Sequence, residues 1–171
     1  NNNHAYLIGA GFSKKGQFPF IDELDMASLQ KNRLYQSSYT DKIENIQSIE
    51  DLAAGKVLVQ IQSKSEYPNF YFRNIKNAGQ LTPITTFANP YAALAEVHKE
   101  VIKYKRKDGV ELSGTLYLPI AYDQTKKEKL PLLIWAYPRE FKDKDSAGQS
   151  TQNPNAFTAP NYGSFVYWVT R

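Results

Sequence analysis

The 171-residue chain contains no cysteine, one methionine and only two histidines, His4 and His98. Without cysteine there can be no disulfide and no thiolate metal site, although that absence leaves the compartment open. No apolar run approaches the ~20 residues of a membrane-spanning helix, and no charged-then-apolar signal segment opens the chain. A soluble chain without a membrane span is therefore expected. Also missing is a G-x-S-x-G turn, which would expose a nucleophilic serine on a sharp strand-to-helix bend. The nearest serine context, GQSTQ at 148–152, lacks the final glycine. The charge is nearly balanced, at +4 from 21 Lys/Arg and 17 Asp/Glu. All of that excess lies in residues 99–144, which hold 11 basic and 7 acidic side chains. These lysines fall in an obvious turn, KYKRKDG, and a polar loop, TKKEK. Solvated loop lysines explain them better than a nucleic-acid surface, since no RNA-binding aromatic motif or zinc-finger spacing accompanies them. No nucleic-acid partner and no cofactor is expected.

What is present describes a globular chain. A hydrophobic content of 42% and an aromatic content of 13% suffice for one good core or two modest ones. An offset of 51 residues sets Tyr6-Leu7-Ile8 on Val57-Leu58-Val59, Phe20-Ile21 on Tyr71-Phe72 and Leu24 on Ile75. Each copy reads as a short apolar strand, a polar loop (SKKGQFP, SKSEYPN) and a second strand. A charged turn and a third strand follow, near Arg33-Leu34-Tyr35 and Leu81-Thr82-Pro83-Ile84. A period of about 40–50 residues with about four short strands is the pattern of propeller blades. A plain antiparallel meander is the alternative. Two copies cannot close a propeller, because each blade needs neighbours to cover its faces.

TTFANPYAALAEV (85–97) breaks this β rhythm and places a domain boundary near residue 90. In EVIKYKRKDGVELSGTLYLP, Val101 to Lys105 and Val110 to Leu118 read as strands around an Asp108-Gly109 hairpin turn. Pro119 ends the second strand. After a polar loop, the continuous run Leu132-Leu133-Ile134-Trp135-Ala136 predicts a strand covered on both faces, as inside an α/β sheet. Residues 142–160 are loop chemistry. NYGSFVYWVTR is ambiguous: its β-branched and aromatic content suits a strand. Yet Phe165, Trp168 and Val169 share a helical face that Asn161 or Ser164 could cap. Trp135 and Trp168 are expected in the core.

VIKYKRKDGVELSGTLYLP, the polar loop and LPLLIWAYPREF together resemble the prolyl oligopeptidase family of serine peptidases, in which a β-propeller caps an α/β-hydrolase domain. WAYPREF is most similar to the glutamyl-endopeptidase and bacterial aminopeptidase-like branch. NFYFRNIKNAGQLTPITTF resembles a last propeller blade. The resemblance implies a mainly β chain: C-terminal propeller blades over 1–89, then over 90–171 the first hairpin, third strand and first helix of a hydrolase domain. It makes 162–170 helical and implies peptide substrates.

The catalytic Ser, Asp and His of such a hydrolase lie beyond this chain, so the chain alone is expected to be inactive. His4 and His98 read as surface or strand-edge histidines. In the family a tyrosine just after the third strand donates its hydroxyl to the developing oxyanion, and Tyr137 holds that position. Relatives commonly carry glycine where Pro138 stands. Proline has no N–H, so the loop must donate through a side chain. Arg139 and Glu140 follow at the mouth of the cleft. Arg139 could grip a substrate carboxylate or pair with Glu140 or a propeller residue; Arg73 is a weaker candidate for the same work. Two other classes stay open: a β-rich module binding peptide or glycan through its aromatic residues, and a non-catalytic interaction protein. An unpaired apolar strand at 132–136, or the edges of open blades, would drive self-association, most simply as a two-fold dimer.

Overall fold

A computed structural model of the chain describes residues 3–13, 15–77, 79–136 and 153–170. These residues are mainly β. They form four antiparallel sheets and only short 3-10 turns, and no closed barrel occurs among them. The chain divides into two compact units, Asn1–Pro90 with Asn155–Phe157, and Tyr91–Pro154 with Thr158–Arg171.

The first unit holds a three-stranded and a four-stranded sheet. The first consists of β1 (His4–Gly9), β4 (Phe20–Asp25) and β5 (Lys31–Gln36), in the order β1-β4-β5. The strands β2 (Phe12–Ser13) and β3 (Gly16–Gln17) form a small ribbon on the connection. The second sheet is the meander β6 (Ile43–Asp51), β7 (Lys56–Gln62), β8 (Asn69–Asn74) and β9 (Leu81–Pro83). Strand β7, KVLVQIQ, shows why it folds so. Its odd positions Val57, Val59 and Ile61 are buried while the intervening residues are less covered, the two-residue period of a strand with one face on a core. Ile21 and Tyr35 of the first sheet join these three in a single cluster, so the core lies between the sheets. Register follows from this alternation, with Ile8 opposite Ile21, Ile21 opposite Tyr35 and Val59 opposite Tyr71.

The 51-residue offset superposes β1 on β7 and β4 on β8, while β5 corresponds to β9. Strand β6 is absent from the sequence reading. It carries two register shifts against β7, at Ile46/Ser48 and Ile49/Asp51. Those irregularities blur its two-residue pattern.

The second unit contains the hairpin β10 (His98–Lys105) and β11 (Glu111–Leu118), with Val101 opposite Thr115. Its turn is the one Asp108-Gly109 predicts. Gly109 has φ 87°, a left-handed conformation that glycine adopts without a Cβ penalty. The Gly109 N–H donates to Arg106 O and the Arg106 N–H to Val110 O, each at 2.9 Å.

Two expectations for this unit need correction. Residues 131–136 form no strand, and Leu132, Leu133, Ile134 and Trp135 are 60–77% exposed. A run apolar on both faces needs parallel neighbours, and the described part of this unit offers only one antiparallel hairpin. The strand edge on which self-association at 132–136 depended is therefore absent. Neither Trp135 nor Trp168 is a core residue, at 63% and 71% exposed. The terminal segment is helical as expected, as a 3-10 helix over Phe165–Thr170. With three residues per turn, its covered side is Val166 with Val169 rather than a face built on Trp168.

Candidate functional site

Strand β8 places Arg73 on the same face as Tyr71, opposite Val57 and inside the first unit, where the residue is 4% exposed. A guanidinium there must be paired, because an isolated buried charge is prohibitively unstable. Glu44 of β6, 1% exposed, is its partner: Arg73 Nε donates to Glu44 Oε1. The other carboxylate oxygen accepts the Tyr35 hydroxyl at 2.6 Å. Arg73 Nη2 donates to the Tyr39 hydroxyl at 3.1 Å, and the guanidinium lies 5.6 and 5.7 Å from the Tyr35 and Tyr39 ring centroids. Burial, then the Glu44 hydrogen bond and charge, hold the Tyr35 hydroxyl far above its ordinary pKa. Burial works against the charge on Arg73, but the Glu44 charge and hydrogen bond outweigh it and the net shift is upward. Arg73 is thus committed to Glu44 and Tyr39. It is not a free clamp for a substrate carboxylate, which corrects the expectation for it.

At one end of the four-stranded sheet lies a cavity of about 400 Å³. Tyr39, Tyr67, Tyr71 and Phe87 supply rings to it, and Lys42 and Glu66 supply charges. Lys42 Nζ stands 2.7 Å from Glu66 Oε2, and that carboxylate raises the lysine pKa through the hydrogen bond. Asn69 shapes the wall. Its Nδ2 donates to Tyr67 O and Phe87 O at 3.2 and 3.1 Å. Its Oδ1 accepts from Thr85 Oγ1 at 2.8 Å and from the Phe87 N–H at 2.6 Å. One amide therefore holds the segment after β9 across the sheet end. Beside the cavity sits Asn155–Phe157. Asn155 Nδ2 donates to Thr40 O at 2.8 Å, the Phe157 N–H donates to Gln62 Oε1 at 2.9 Å, and the Phe157 ring meets Tyr67 edge-on at 5.3 Å.

In the second unit the Phe165 ring stacks on Trp135 at 5.6 Å and meets Tyr117 edge-on at 6.1 Å. Burial pushes the Tyr117 hydroxyl pKa up, against a hydrogen bond with Thr158 that lowers it. Tyr137, Arg139 and Glu140, the expected oxyanion donor and cleft-mouth residues, lie outside the described residues, as does GQSTQ. His98 opens β10 opposite Leu118, half-buried, with Nε2 3.4 Å from Glu100 Oε2. His4 opens β1, with Nδ1 3.5 Å from Glu23 Oε1. The two histidines belong to different units, and neither faces a serine in any contact described. Among the described residues no group of three His, Asp or Glu side chains could hold a metal ion, and no helix is long and apolar enough to cross a membrane.

The Glu44–Arg73 network and the cavity were not read from the sequence. A signal for the first was present: Arg73 falls on the same alternate positions as Asn69 and Tyr71, and Glu44 lies between Ile43 and Asn45 at the start of a strand.

No protein-family model matches the chain. Over 99% of its length it is 38% identical to a protein named probable glutamyl endopeptidase, chloroplastic, of Oryza sativa subsp. japonica, of which it covers 19%. It is 36% identical over its full length to the protein of the same name from Arabidopsis thaliana, again covering 19%. The chain thus spans about a fifth of the length of these relatives. Among solved structures, the isopeptidase AtxE2 matches at TM-scores of 0.47 for a ligand-bound variant and 0.41 for the apo form. The identities are 16% and 17%, over 80% and 71% of this chain and 20% and 18% of that one.

Proposed function

We propose that the chain is part of a serine-type peptidase that hydrolyses peptide bonds of oligopeptides. In this reading residues 1–89 are the last blades of a β-propeller and residues 90–171 begin an α/β-hydrolase domain. The observation that carries the reading is the 38% identity along 99% of the chain with a protein named as a probable glutamyl endopeptidase. Two features of the fold support it. Two meandering sheets related by a 51-residue offset suit adjacent blades. The exposed apolar run Leu132–Trp135 suits a segment that a longer protein covers, since large apolar patches mark interaction surfaces.

Tyr137 is then the side-chain donor of the oxyanion hole, and Arg139 and Glu140 border the substrate cleft. A donor aimed at the developing oxyanion acts mainly in the transition state. In the longer protein, Tyr137→Phe should therefore lower kcat by about 10²–10³-fold with KM little changed. An unchanged kcat would reduce Tyr137 to a packing residue. Absence of any peptide hydrolysis by the longer protein would overturn the function as a whole. The 171-residue chain alone should not react with a fluorophosphonate, because no serine in it stands in a nucleophile elbow; stoichiometric labelling would contradict this. Self-association through the sheet edges of the first unit remains part of the reading. Light scattering across micromolar concentrations tests it, and a strict monomer would dismiss it.

A further inference from the structure

None of the residues lining the cavity at the end of the four-stranded sheet is given a role in the proposed peptide hydrolysis, yet the cavity has the make-up of a binding site. Its volume of about 400 Å³ lies in the ~300–1,000 Å³ range typical of ligand sites. Its rings come from four separate places in the sequence: the segment after β5, the β7–β8 loop, β8 and the segment after β9. Asn69 fixes the last of these with three hydrogen bonds and donates a fourth to Tyr67 O, so the wall is formed before any ligand arrives. Preformed aromatic walls favour binding because little side-chain freedom is left to lose. Phe87 remains 56% exposed despite this fixing, an apolar ring held in place at an open mouth. The charged groups at the cavity, Lys42 and Glu66, neutralise each other, and the site therefore selects for ring stacking rather than for one sign of charge.

The chain itself shows what chemistry this surface accepts. Asn155–Phe157 packs beside the cavity as a short stretch of polypeptide, held by a side-chain amide on Thr40 O, a backbone N–H on Gln62 Oε1 and an aromatic ring set against Tyr67 of the cavity wall. We propose that the cavity formed by Tyr39, Tyr67, Tyr71 and Phe87 is a second peptide-binding site, which takes an aromatic side chain presented by a polypeptide ligand. Phe157 occupies the neighbouring position on Tyr67, and the cavity offers the other rings to a residue of the same kind. The choice of a polypeptide rests in part on the peptidase reading above. The edge-on contact of Phe157, an aromatic side chain carried by polypeptide, with Tyr67 of the cavity wall supports it independently.

The test is a titration of the isotopically labelled 171-residue chain, followed by amide NMR, with N-acetyl-Ala-Phe-Ala-amide, N-acetyl-Ala-Ser-Ala-amide and tri-N-acetylchitotriose in parallel. The phenylalanine peptide should shift Tyr67, Asn69, Tyr71 and Phe87, and the serine peptide should not. Phe87→Ala removes an exposed ring, so the fold should survive. It should weaken the phenylalanine peptide about tenfold, the upper end of what one aromatic pair contributes. Phe12→Ala, at a 69% exposed ring of β2, should change nothing. Equal shifts with the serine peptide, or binding indifferent to Phe87→Ala, would overturn the proposal. So would no shift at about 10 mM peptide, beyond the weak millimolar regime. Chitotriose binding at these residues in place of the peptide would replace it with a glycan site. The readout is equilibrium binding without turnover: a failed titration leaves the peptidase reading standing, and an inactive longer protein leaves a positive titration standing.

Discussion

Removing either member of the Glu44–Arg73 pair should be among the most damaging single changes in the first unit. Arg73→Met keeps the length of the side chain and deletes its charge. Glu44, 1% exposed, would then hold an unneutralised carboxylate with the Tyr35 hydroxyl as its remaining described partner. Breaking a buried pair in this way costs about 3–5 kcal/mol. A domain is stable by only ~5–15 kcal/mol in total, so one substitution removes a large fraction. Glu44→Gln keeps the shape and an acceptor for Tyr35, but leaves the guanidinium facing a neutral amide; a similar loss is expected. The double variant leaves no unpaired charge. Its cost should therefore fall below the sum of the two singles by about 2 kcal/mol, within the range of coupling between contacting residues. Urea titrations followed by circular dichroism measure all four corners of this cycle. Single losses under about 1 kcal/mol would place the pair energetically at the surface. Strict additivity would mean that the two side chains do not stabilise one another, and either result would refute the reasoning.

Two further outcomes follow from local geometry. The Arg106 side chain at the β10–β11 turn lowers the Asp108 pKa from 3.8 to about 2. The contribution of this carboxylate to stability is thus present above pH 3.8 and lost as the pH falls through about 2; a carboxyl carbon titration with its midpoint near 3.8 would remove it. Asn69→Ala deletes one hydrogen bond to Thr85, two to Phe87 and one to Tyr67, at a cost of roughly 1–3 kcal/mol. It should also speed amide exchange at Phe87, and unchanged exchange there would mean that the segment is fixed by other contacts.

The strands legible in the sequence are those whose side chains alternate without interruption. Val57, Val59 and Ile61 mark β7 by their spacing alone, and the 51-residue offset carries that reading back to β1. Strand β6 escaped because Glu44, Asn45, Gln47 and Ser48 interrupt its isoleucines and two register shifts break the period. Its most buried side chain is a carboxylate, which a hydropathy pattern counts as surface. The cavity escaped for a different reason. Its rings lie far apart in sequence and converge only when the segment after β9 crosses the sheet end, a path held by the Asn69 side chain and the Phe70 backbone and by no local propensity.

The contrast between the two units shows how far sequence can be pushed. In the first unit each sheet buries one face against the other, so the pattern within a strand already determines where its side chains go. In the second, the buried apolar residues among those described are only Leu94, Pro160 and Val166, while Leu132 to Trp135 lie largely exposed. A doubly apolar run has no inside and outside of its own; parallel neighbours assign both. LLIWA has the composition of a strand in want of a sheet, but a strand cannot form from composition when the sheet is not there. The same dependence governs the expected site. Tyr137, Arg139 and Glu140 follow directly on this run, and an oxyanion donor is useful only when aimed within about 3 Å of the reacting oxygen. That aim would come from the strand before it and from a nucleophile elsewhere in the longer protein. The identity of the donor could therefore be proposed from a motif, whereas its geometry could not.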